Sequence, residues 1–356
     1  MKKTKGTGAM LFSMIAVIVI ICLFIVAGNG AKKEAASKEI RVGLLLYRGD
    51  DTFISTLRSY IEEKAKEYER KEGIKVTLDI LDAKSNQNTQ NNQVDRMLEL
   101  GCDALCVNIV DRFAASVVID KAMAADVPVI FFNREPVEED MNRWEKLYYV
   151  GADAKQSGKL QGELAVEMIE ENPQIDKNKD GKIQYVVLEG EMGHQDAIIR
   201  TENAVNTLKE NGIEVEKLSC KIANWNRAQA QNRMEQIIGE YQNKIELVLG
   251  NNDDMALGAV DAYKKLNYTS AALPAFMGID GTEAGLQGVE NQELWGTVYN
   301  DKEGQAKAMA ELAAALFTRE GMEDIHFQNE KYVYLPYYKV TAENVSKFTQ
   351  GNLVSE

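Results

Sequence analysis

From residue 39 onward, short apolar runs rich in β-branched residues alternate with amphipathic segments whose hydrophobic positions recur at helical spacing. This alternation is typical of repeated β-α-β units, in which crossover helices join parallel strands. It predicts an α/β fold with helices on both faces of parallel sheets. The predicted strands are IRVGLLLY, KVTLDIL, ALCVN, VPVIFFN, IQYVVLEG, IEVEKLS, IELVLGN, PAFMGID and LWGTVYN.

These strands are too many for one doubly wound sheet of roughly five or six strands. A chain of 356 residues is also longer than a single core usually supports. We therefore predict two lobes, each built on a doubly wound parallel sheet, joined by several chain crossings. The predicted first lobe comprises residues 39–127 and 301–335, and the predicted second lobe comprises residues 128–300 and 336–356. The last two runs, KYVYLP and YYKVT, meet at Pro336, where we expect one crossing.

Residues 1–38 precede this pattern and have the composition of a membrane-targeting segment followed by a polar tether. Lysines near the start stand before an apolar run over residues 9–27, which approaches the roughly 17–25 residues that span a bilayer. Lysines kept inside would place the lobes outside the cytoplasm. Cys22 raises the alternative of a lipid anchor, although Ile21 departs from the small residue that precedes a lipidated cysteine. We predict attachment to the cell membrane by a signal anchor or a lipid.

Composition argues against two other classes of protein. The formal net charge of −14 opposes binding to a phosphate backbone, so no nucleic-acid partner is predicted. Cys102, Cys106 and Cys220 show no C-x-x-C spacing, and the chain has only 2 histidines, so no zinc site is predicted. Cys102 and Cys106 flank a predicted buried strand and are interpreted as packed free thiols.

Short polar residues follow several predicted strands at the carboxyl ends, where open α/β sheets bind their ligands. Each of them alone has an ordinary interpretation as a helix N-cap or a turn residue. Both halves of the chain contribute to the set, which indicates a cleft lined by carboxylates and amides. Its members are Asp50, Asp51, Asn108, Asn252, Asp253, Asp280 and Asn300.

The segment EGEMGHQDAIIR adds His194, Asp196 and Arg200 to the candidates. The last two are four residues apart, so a pairing across one helical turn is the structural alternative. Charged and polar groups that donate and accept hydrogen bonds, without a cationic excess, suit a neutral polyhydroxylated ligand such as a sugar. Phe53 and Trp225 are either stacking partners for a sugar ring, one from each lobe, or ordinary core residues.

Residues 176–184, DKNKDGKIQ, begin like an EF-hand calcium loop. Calcium-ligand residue types occupy its first, third, fifth and ninth positions, and a glycine occupies the sixth. An EF-hand ends with a bidentate glutamate at the twelfth position, whereas this chain has Val187 there. The segment is either an ordinary turn or a calcium site whose last carboxylate comes from elsewhere in the chain.

Together these segments resemble the bacterial periplasmic galactose/glucose-binding proteins, the sugar receptors of ABC transporters and chemotaxis. The resemblance runs from about residue 40 to 350 and departs at Gly49, where the family pattern has an aromatic residue near the cleft rim. It implies two Rossmann-like lobes joined by a hinge of three crossings, with one hexose between them. It is carried, in the same order, by YRGDDTFIS, NIVDRFAA, VIFFNREP, YYVGADAKQSG, DKNKDGKIQYVVLEGEMGHQDAIIR, ANWNRAQA, KIELVLGNNDDMALGAV and GTVYND.

The resemblance also implies which residues bind ligands. The implied sugar contacts are Asp51, Asn108, His194, Asp196, Arg200, Asn252, Asp280 and Asn300, with Phe53 and Trp225 as the stacking pair. The implied calcium site is structural, and its distant carboxylate comes from KIELVLG. The implied calcium ligands are Asp176, Asn178, Asp180, the backbone carbonyl of Lys182, Gln184 and Glu246.

The function that the resemblance implies is a monomeric, non-enzymatic receptor. It would capture D-galactose, D-glucose or a methyl-galactoside and deliver it to the membrane subunits of an ABC permease. A chemoreceptor or a sensor kinase as the partner stays open. A carbohydrate-active enzyme that uses Asp51, Asp196 or Asp280 as paired carboxylates is the less favoured alternative, because their neighbours suit the holding of a neutral sugar. A repressor would need a helix-turn-helix before residue 40, where the apolar segment lies.

Overall fold

The computed structural model describes residues 39–349, which form strands and helices in alternation. The strands are β1 (Glu39–Leu46), β2 (Lys75–Asp82), β3 (Ala104–Val107), β4 (Val129–Phe132), β5 (Leu147–Ala152), β6 (Ile183–Glu189), β7 (Val215–Ile222), β8 (Leu247–Gly250), β9 (Ala275–Met277), β10 (Thr297–Asn300), β11 (Tyr332–Leu335) and β12 (Tyr337–Val340). The helices are α1 (Thr52–Glu72), α2 (Gln87–Glu99), α3 (Ala115–Ala124), α4 (Glu138–Met141), α5 (Ala154–Glu171), α6 (Gln195–Glu210), α7 (Arg227–Tyr241), α8 (Asp253–Lys265), α9 (Glu283–Glu290), α10 (Lys302–Thr318) and α11 (Val345–Thr349).

Two parallel sheets divide these elements into two lobes, which confirms the predicted α/β fold. The first sheet has the order β11-β5-β4-β3-β1-β2, and the second has the order β7-β6-β8-β9. The antiparallel pair β10–β12 adjoins the second sheet through the bridges Met277–Gly296 and Asp280–Tyr299. In both sheets the first strand is internal, so the strand order reverses beside it, and ligands of open α/β sheets bind at such a point.

The predicted lobe boundary at residue 127 is wrong by one α/β unit. β4 pairs with β3 and β5 in the first sheet, so residues 128–152 lie in the first lobe. β5 was not predicted, because its sequence, LYYVGA, lacks the continuous aliphatic run by which the other strands were recognised. The chain crosses between the lobes after β5, after β10, and at Pro336 between β11 and β12.

Each sheet is covered by helices on both faces, and the core side chains explain why. β3 and β4 are buried along their whole length, as expected for parallel strands without a solvent face. The apolar face of α1 packs with Met309 and Leu312 of α10 on the first sheet, which places α10 in the first lobe. Cys102 and Cys106 are buried free thiols, as predicted, and burial raises the pKa of Cys106 to about 12.

The predicted membrane attachment falls outside the described part of the chain. Residues 1–38, including Cys22, and residues 350–356 are not among those described. Between residues 39 and 349, no helix has the length and apolar character needed to cross a bilayer.

Candidate functional site

A narrow pocket lies between the lobes, at the carboxyl ends of strands from both sheets. We call it the inner pocket. Eight of the ten predicted sugar contacts line it, so the structure brings together side chains that are far apart in the sequence. The lining residues are Tyr47, Asp51, Phe53, Ile54, Asn133, Arg134, His194, Asp196, Arg200, Trp225, Asn252 and Asp280.

Asn108 and Asn300, the other two predicted contacts, are not among the lining residues. Asn108 is fully buried after β3, where its Nδ2 donates to the Phe132 carbonyl at 3.1 Å. Its buried Oδ1 has no partner among the described residues. Asn300 lies in β10, and its Oδ1 accepts a hydrogen bond of 2.6 Å from Gln305. Both amides therefore make internal contacts in this arrangement, and their contact with a sugar stays a prediction.

Four lining residues were not predicted: Tyr47, Ile54, Asn133 and Arg134. Asn133 and Arg134 follow β4 directly, so the strand-end rule that selected the other candidates could have found them. Tyr47 and Ile54 gave no such signal, because aromatic and aliphatic residues beside a buried strand are usually core.

Asp51 has two partners at the start of α1. Its Oδ1 accepts a hydrogen bond of 3.0 Å from Ile54 N, which caps the helix, and its Oδ2 accepts one of 2.6 Å from Tyr47 Oη. Arg48 Nη2 lies 3.6 Å from the same Oδ2. The carboxylate is therefore held in a fixed orientation at the pocket wall, and its remaining lone pairs can accept from ligand hydroxyls.

The second lobe places two further caps at the pocket. His194 caps α6 by accepting from Asp196 N at 3.1 Å, and Asn252 caps α8 by accepting from Met255 N at 2.9 Å. The capping and ligand-facing interpretations of these residues are both compatible with the geometry, because the N-termini of the helices point toward the inner pocket.

Arg200 is the centre of a buried polar network in the second lobe. Its guanidinium donates to the Asn251 carbonyl at 2.8 Å and to Tyr337 Oη at 2.9 Å. The carboxylates of Asp280 and Asp196 lie 3.6 Å and 3.8 Å from its terminal nitrogens. The predicted pairing across one helical turn is therefore present, but it is looser than the bonds that orient the guanidinium.

Burial shifts the pKa of several pocket residues. It raises the pKa of Asp280 well above its ordinary value, against the opposing charge of Arg200. It also raises the pKa of Asp196 and lowers that of His194, where Arg134 and Arg200 act in the same direction. A site that disfavours uncompensated charge suits an uncharged ligand.

The two predicted stacking residues line the inner pocket from opposite lobes. Trp225 is 8% exposed, and its ring meets the His194 ring edge-on with the centroids 5.1 Å apart. Gly190 is required beside it, because a Cβ at this position would overlap the indole ring. Phe53 lies in the first turn of α1. Gly49, the departure from the family pattern, packs beside Asp82 and is not a lining residue.

Among the hydrogen bonds that join the lobes, two lie beside the pocket. Thr52 Oγ1 donates to Asp254 Oδ2 at 2.5 Å, and Arg134 Nη2 donates to Glu191 Oε2 at 2.5 Å. The Arg134 guanidinium also lies over the Tyr47 ring, 3.6 Å from its centroid. Since Tyr47 holds the Asp51 carboxylate, the link between the lobes is connected to the pocket wall.

The predicted calcium ligands gather at the loop before β6. Asp176 accepts from the backbone N–H groups of Asp180 and Gly181, and Gly181 has the positive φ, +81°, that the turn requires. The side-chain amides of Asn178 and Gln184 donate to Asp180 Oδ2 at 3.0 Å and 2.9 Å. The side-chain oxygens of the loop therefore lie close together, bound to N–H groups of the same segment.

Glu246 reaches this loop from the start of β8. It is 1% exposed, and its two oxygens accept from Lys177 N at 2.6 Å and from Gln184 N at 3.0 Å. Burial raises its pKa, partly offset by those N–H groups. The Lys177 ammonium donates to the carbonyls of Ile245 and Ala272 and not to Glu246. The Glu246 carboxylate therefore lies beside the loop, and it makes no ion pair with the ammonium of Lys177.

The donor set suits a hard cation, but the side chains are not arranged around one. Within residues 39–349, no group of three or more His, Cys, Asp and Glu side chains is close enough to hold a metal ion. The loop offers carboxylate, amide and carbonyl oxygens, which are the ligands that Ca²⁺ prefers. Binding of Ca²⁺ would require the amides of Asn178 and Gln184 to turn their oxygens toward the carboxylates.

Two α/β lobes, three chain crossings and a polar pocket in the cleft define a two-lobed solute-binding protein. Residues 42–321 match the family model described as a periplasmic binding protein domain, and the chain belongs to this family. The resemblance noted from the sequence is therefore confirmed, and the family implies a location outside the cytoplasm.

Individual relatives agree on the class and differ in ligand. The chain is 37% identical over 336 residues to the D-galactose/methyl-galactoside binding periplasmic protein MglB of Haemophilus influenzae, covering 94% of this chain and 98% of that protein. It is 26% identical to the ribose import binding protein RbsB of Bacillus subtilis, covering 78% of this chain and 81% of that protein. An ABC transporter solute binding protein from Bacillus halodurans with bound myo-inositol superposes with a TM-score of 0.74 at 25% identity, covering 89% of this chain and 99% of that chain. These names describe binding proteins, in agreement with the non-enzymatic interpretation.

Proposed function

We propose that the protein captures D-galactose or D-glucose, or a methyl-galactoside, in the inner pocket and delivers it to the membrane subunits of an ABC permease. The observation that carries this proposal is the pocket lining, which combines carboxylates, two amides and two guanidinium groups with aromatic rings from both lobes. Hexose hydroxyls need donors and acceptors, and the C–H faces of the ring need apolar cover. The identity to the galactose-binding relative favours a hexose.

Binding would be coupled to hinge motion. The inner pocket encloses about 30 Å³, whereas small-molecule pockets usually enclose roughly 300–1,000 Å³. A hexose would therefore enter with the lobes further apart. Ligand contacts to both lobes, together with the Thr52–Asp254 and Arg134–Glu191 bonds, would then favour a closed form that the permease recognises.

The loop before β6 would hold a structural Ca²⁺ ion in this proposal. The ion would add positive charge beside Glu246, a buried carboxylate, and would tie the loop to β8. Mg²⁺ suits the site less well, because it demands a tighter octahedral geometry. The proposed ligands are Asp176, Asn178, Asp180, the Lys182 carbonyl, Gln184 and Glu246.

Residues 1–38 would attach the receptor to the outer face of the cell membrane, by a signal anchor or a lipid on Cys22, and so keep it beside its partner.

Uptake of radiolabelled sugar by cells that lack the gene tests whether the receptor delivers its sugar to a permease. Normal uptake together with lost chemotaxis toward the sugar would indicate a chemoreceptor instead.

Titration calorimetry on the full-length chain tests the ligand. The apolar N-terminal run calls for a detergent, and one without a sugar headgroup avoids competition. We expect one-to-one binding of D-galactose or D-glucose that is lost in Asp280→Ala, which removes a buried pocket carboxylate. Tighter binding of D-ribose, L-arabinose or myo-inositol, or no heat with either hexose, would contradict the proposal.

Thermal unfolding tests the Ca²⁺ site independently of the sugar. Calcium should raise the Tm of the chelated protein, since an ion at one hundred times its Kd stabilises by about 2.7 kcal/mol. Glu246→Ala should abolish the rise, whereas Glu240→Ala, at an exposed position of α7, should retain it. An equal rise in both variants would refute the proposed ligand set.

A further inference from the structure

The cleft contains a second, larger chamber that the proposed function does not use. It encloses about 300 Å³ and meets the inner pocket at Arg134, His194 and Asp196, which line both spaces. We call it the outer chamber. Residues 110–113, after β3, form one side, and residues 191–195, after β6, form the other, so both lobes contribute to its walls.

Two large apolar side chains line the outer chamber from opposite lobes. Phe113 is 66% exposed and Met192 is 80% exposed, the two largest values among the large apolar side chains of the described residues. The Arg112 guanidinium lies 5.3 Å from the centroid of the Phe113 ring and supports it from one side. Exposed apolar surface inside a cleft commonly marks a place where a ligand packs.

Hydrogen-bonding groups also line the outer chamber. Arg112 uses Nε to donate to the Glu135 carbonyl at 3.1 Å, and the carboxylate of Glu135 accepts from Tyr334 Oη at 3.1 Å. Glu191 also lines the outer chamber and is partly exposed. The combination of apolar faces with carboxylate and guanidinium groups is the chemistry that a pyranose ring requires.

Arg134 stands at the junction of the two spaces. Its side chain is 6% exposed, Nη1 donates to the Val110 carbonyl at 2.8 Å, and Nη2 pairs with Glu191. Its buried Nε has no partner among the residues that the structure describes. A donor at this place can serve an oxygen that links a group in the inner pocket to a group in the outer chamber.

We propose that the outer chamber is a second subsite that takes a sugar ring attached to the one in the inner pocket, so that the receptor accepts disaccharides as well as monosaccharides. This inference rests on the proposed function. A volume of about 300 Å³ lies at the lower end of the range of roughly 300–1,000 Å³ for small-molecule pockets. The outer chamber is therefore sized for one additional ring and not for a longer chain.

Calorimetry with matched ligands tests the subsite on the full-length chain. The ligands are D-galactose, D-glucose, lactose, melibiose, cellobiose and maltose, each also titrated in competition with the preferred monosaccharide. We expect at least one disaccharide to bind one-to-one, within about tenfold of the monosaccharide Kd, and to compete with it. Phe113→Ala should weaken that disaccharide by about 3- to 10-fold, the usual contribution of an aromatic contact, and leave monosaccharide affinity within about twofold.

Ile198→Ala is the matched control, because Ile198 is 56% exposed on α6 and does not line the outer chamber. It should leave both affinities unchanged. Monosaccharide binding without any disaccharide binding would overturn the subsite and leave the proposed function intact, whereas a failure of all the sugars would remove both. If Phe113→Ala leaves every affinity unchanged but slows uptake, the exposed residues form a permease-docking surface and the subsite is refuted.

Discussion

The turns that follow the second strand of each lobe have similar φ angles and different side chains. After β2, Lys84 and Ser85 have φ angles of +51° and +56°, and after β7, Asn224 and Trp225 have φ angles of +52° and +60°. An asparagine follows each turn and caps the next helix. Ser85 is exposed to solvent, whereas Trp225 lines the inner pocket. The two lobes therefore share this turn, and the turn places a side chain at the inner pocket in the second lobe.

The same contrast holds at the first strand of each lobe. Asp51 follows β1 and His194 follows β6 at equal distance, and each side chain caps a helix at the inner pocket. The second lobe adds the buried network around Arg200. Side chains at equivalent backbone positions can diverge without changing the fold, because the backbone hydrogen bonds do not depend on them. We therefore expect changes in the second lobe to have larger effects than matched changes in the first.

The largest effect should come from Arg200→Met. This change leaves Asp280 and Asp196 buried without their cationic neighbour, and the loss of one partner from a buried ion pair costs about 3–5 kcal/mol. Sugar affinity should fall by at least about 100-fold, equivalent to about 2.7 kcal/mol. Urea unfolding and calorimetry measure both quantities. Arg41→Met, which breaks the partly exposed Arg41–Asp79 pair of the first lobe, should cost less than about 1 kcal/mol. Equal losses of unfolding free energy in Arg200→Met and Arg41→Met would contradict the expected difference between the lobes.

Lys302, at the start of α10, should make stability depend on pH. Its ammonium donates to the Gly281 carbonyl of the second lobe at 2.8 Å, and burial lowers its pKa to about 8 from 10.5. The folded protein therefore binds fewer protons than the unfolded chain between these values. The unfolding free energy should therefore rise by about 3 kcal/mol between about pH 8 and pH 10.5. This gain is complete above about pH 10.5 and is lost as the pH falls through 8.

Urea unfolding of the unmodified protein and of Lys302→Met at pH 7.5, 8.5 and 9.5 measures this contribution. The stability of the unmodified protein should rise with pH relative to that of the variant. Lys307→Met changes an exposed lysine of the same helix and should give a constant difference. A constant difference for Lys302→Met as well would show that its ammonium is not destabilised in the folded protein.

The two equivalent turns allow a direct test of the asymmetry. Trp225→Ser gives the second lobe the residue that the first lobe has at this place, and sugar affinity should fall by about 10- to 30-fold because the ring loses its apolar cover. Ser85→Ala should leave affinity unchanged, since Ser85 is exposed. Calorimetry measures both. Comparable losses in the two variants would show that the first turn also contributes to binding.

The smallest effect should come from the bond between the lobes at Thr52. Thr52→Val removes the hydroxyl that donates to Asp254 at 2.5 Å and keeps the shape of the side chain. Affinity for all sugars should fall by about 3- to 10-fold, the usual net value of one hydrogen bond, without a change in their ranking. Thr56→Val, whose hydroxyl bonds to the Thr52 carbonyl within α1, should have no effect. A changed ranking would mean that Thr52 acts on the ligand directly.

Most of the site was predictable because ligand residues of α/β sheets follow strand ends, and strand ends are visible in the sequence. The pairing of Asp196 with Arg200 was also visible, from their spacing. The orientation of Asn108 and Asn300 was not, because it depends on Phe132 and Gln305, which are remote or lie on another element. Residue spacing in the sequence does not predict such contacts.

By itself, the sequence determined the α/β class, the strand-end candidates and the motif of the loop at residues 176–184, because hydrophobic periodicity and turn chemistry act over a few neighbouring residues. Only the tertiary structure decided that residues 128–152 join the first sheet. It also placed Arg134 between the inner pocket and the outer chamber, and it brought Glu246 to the loop before β6. These outcomes depend on strand pairing and packing between distant segments, which local sequence does not encode.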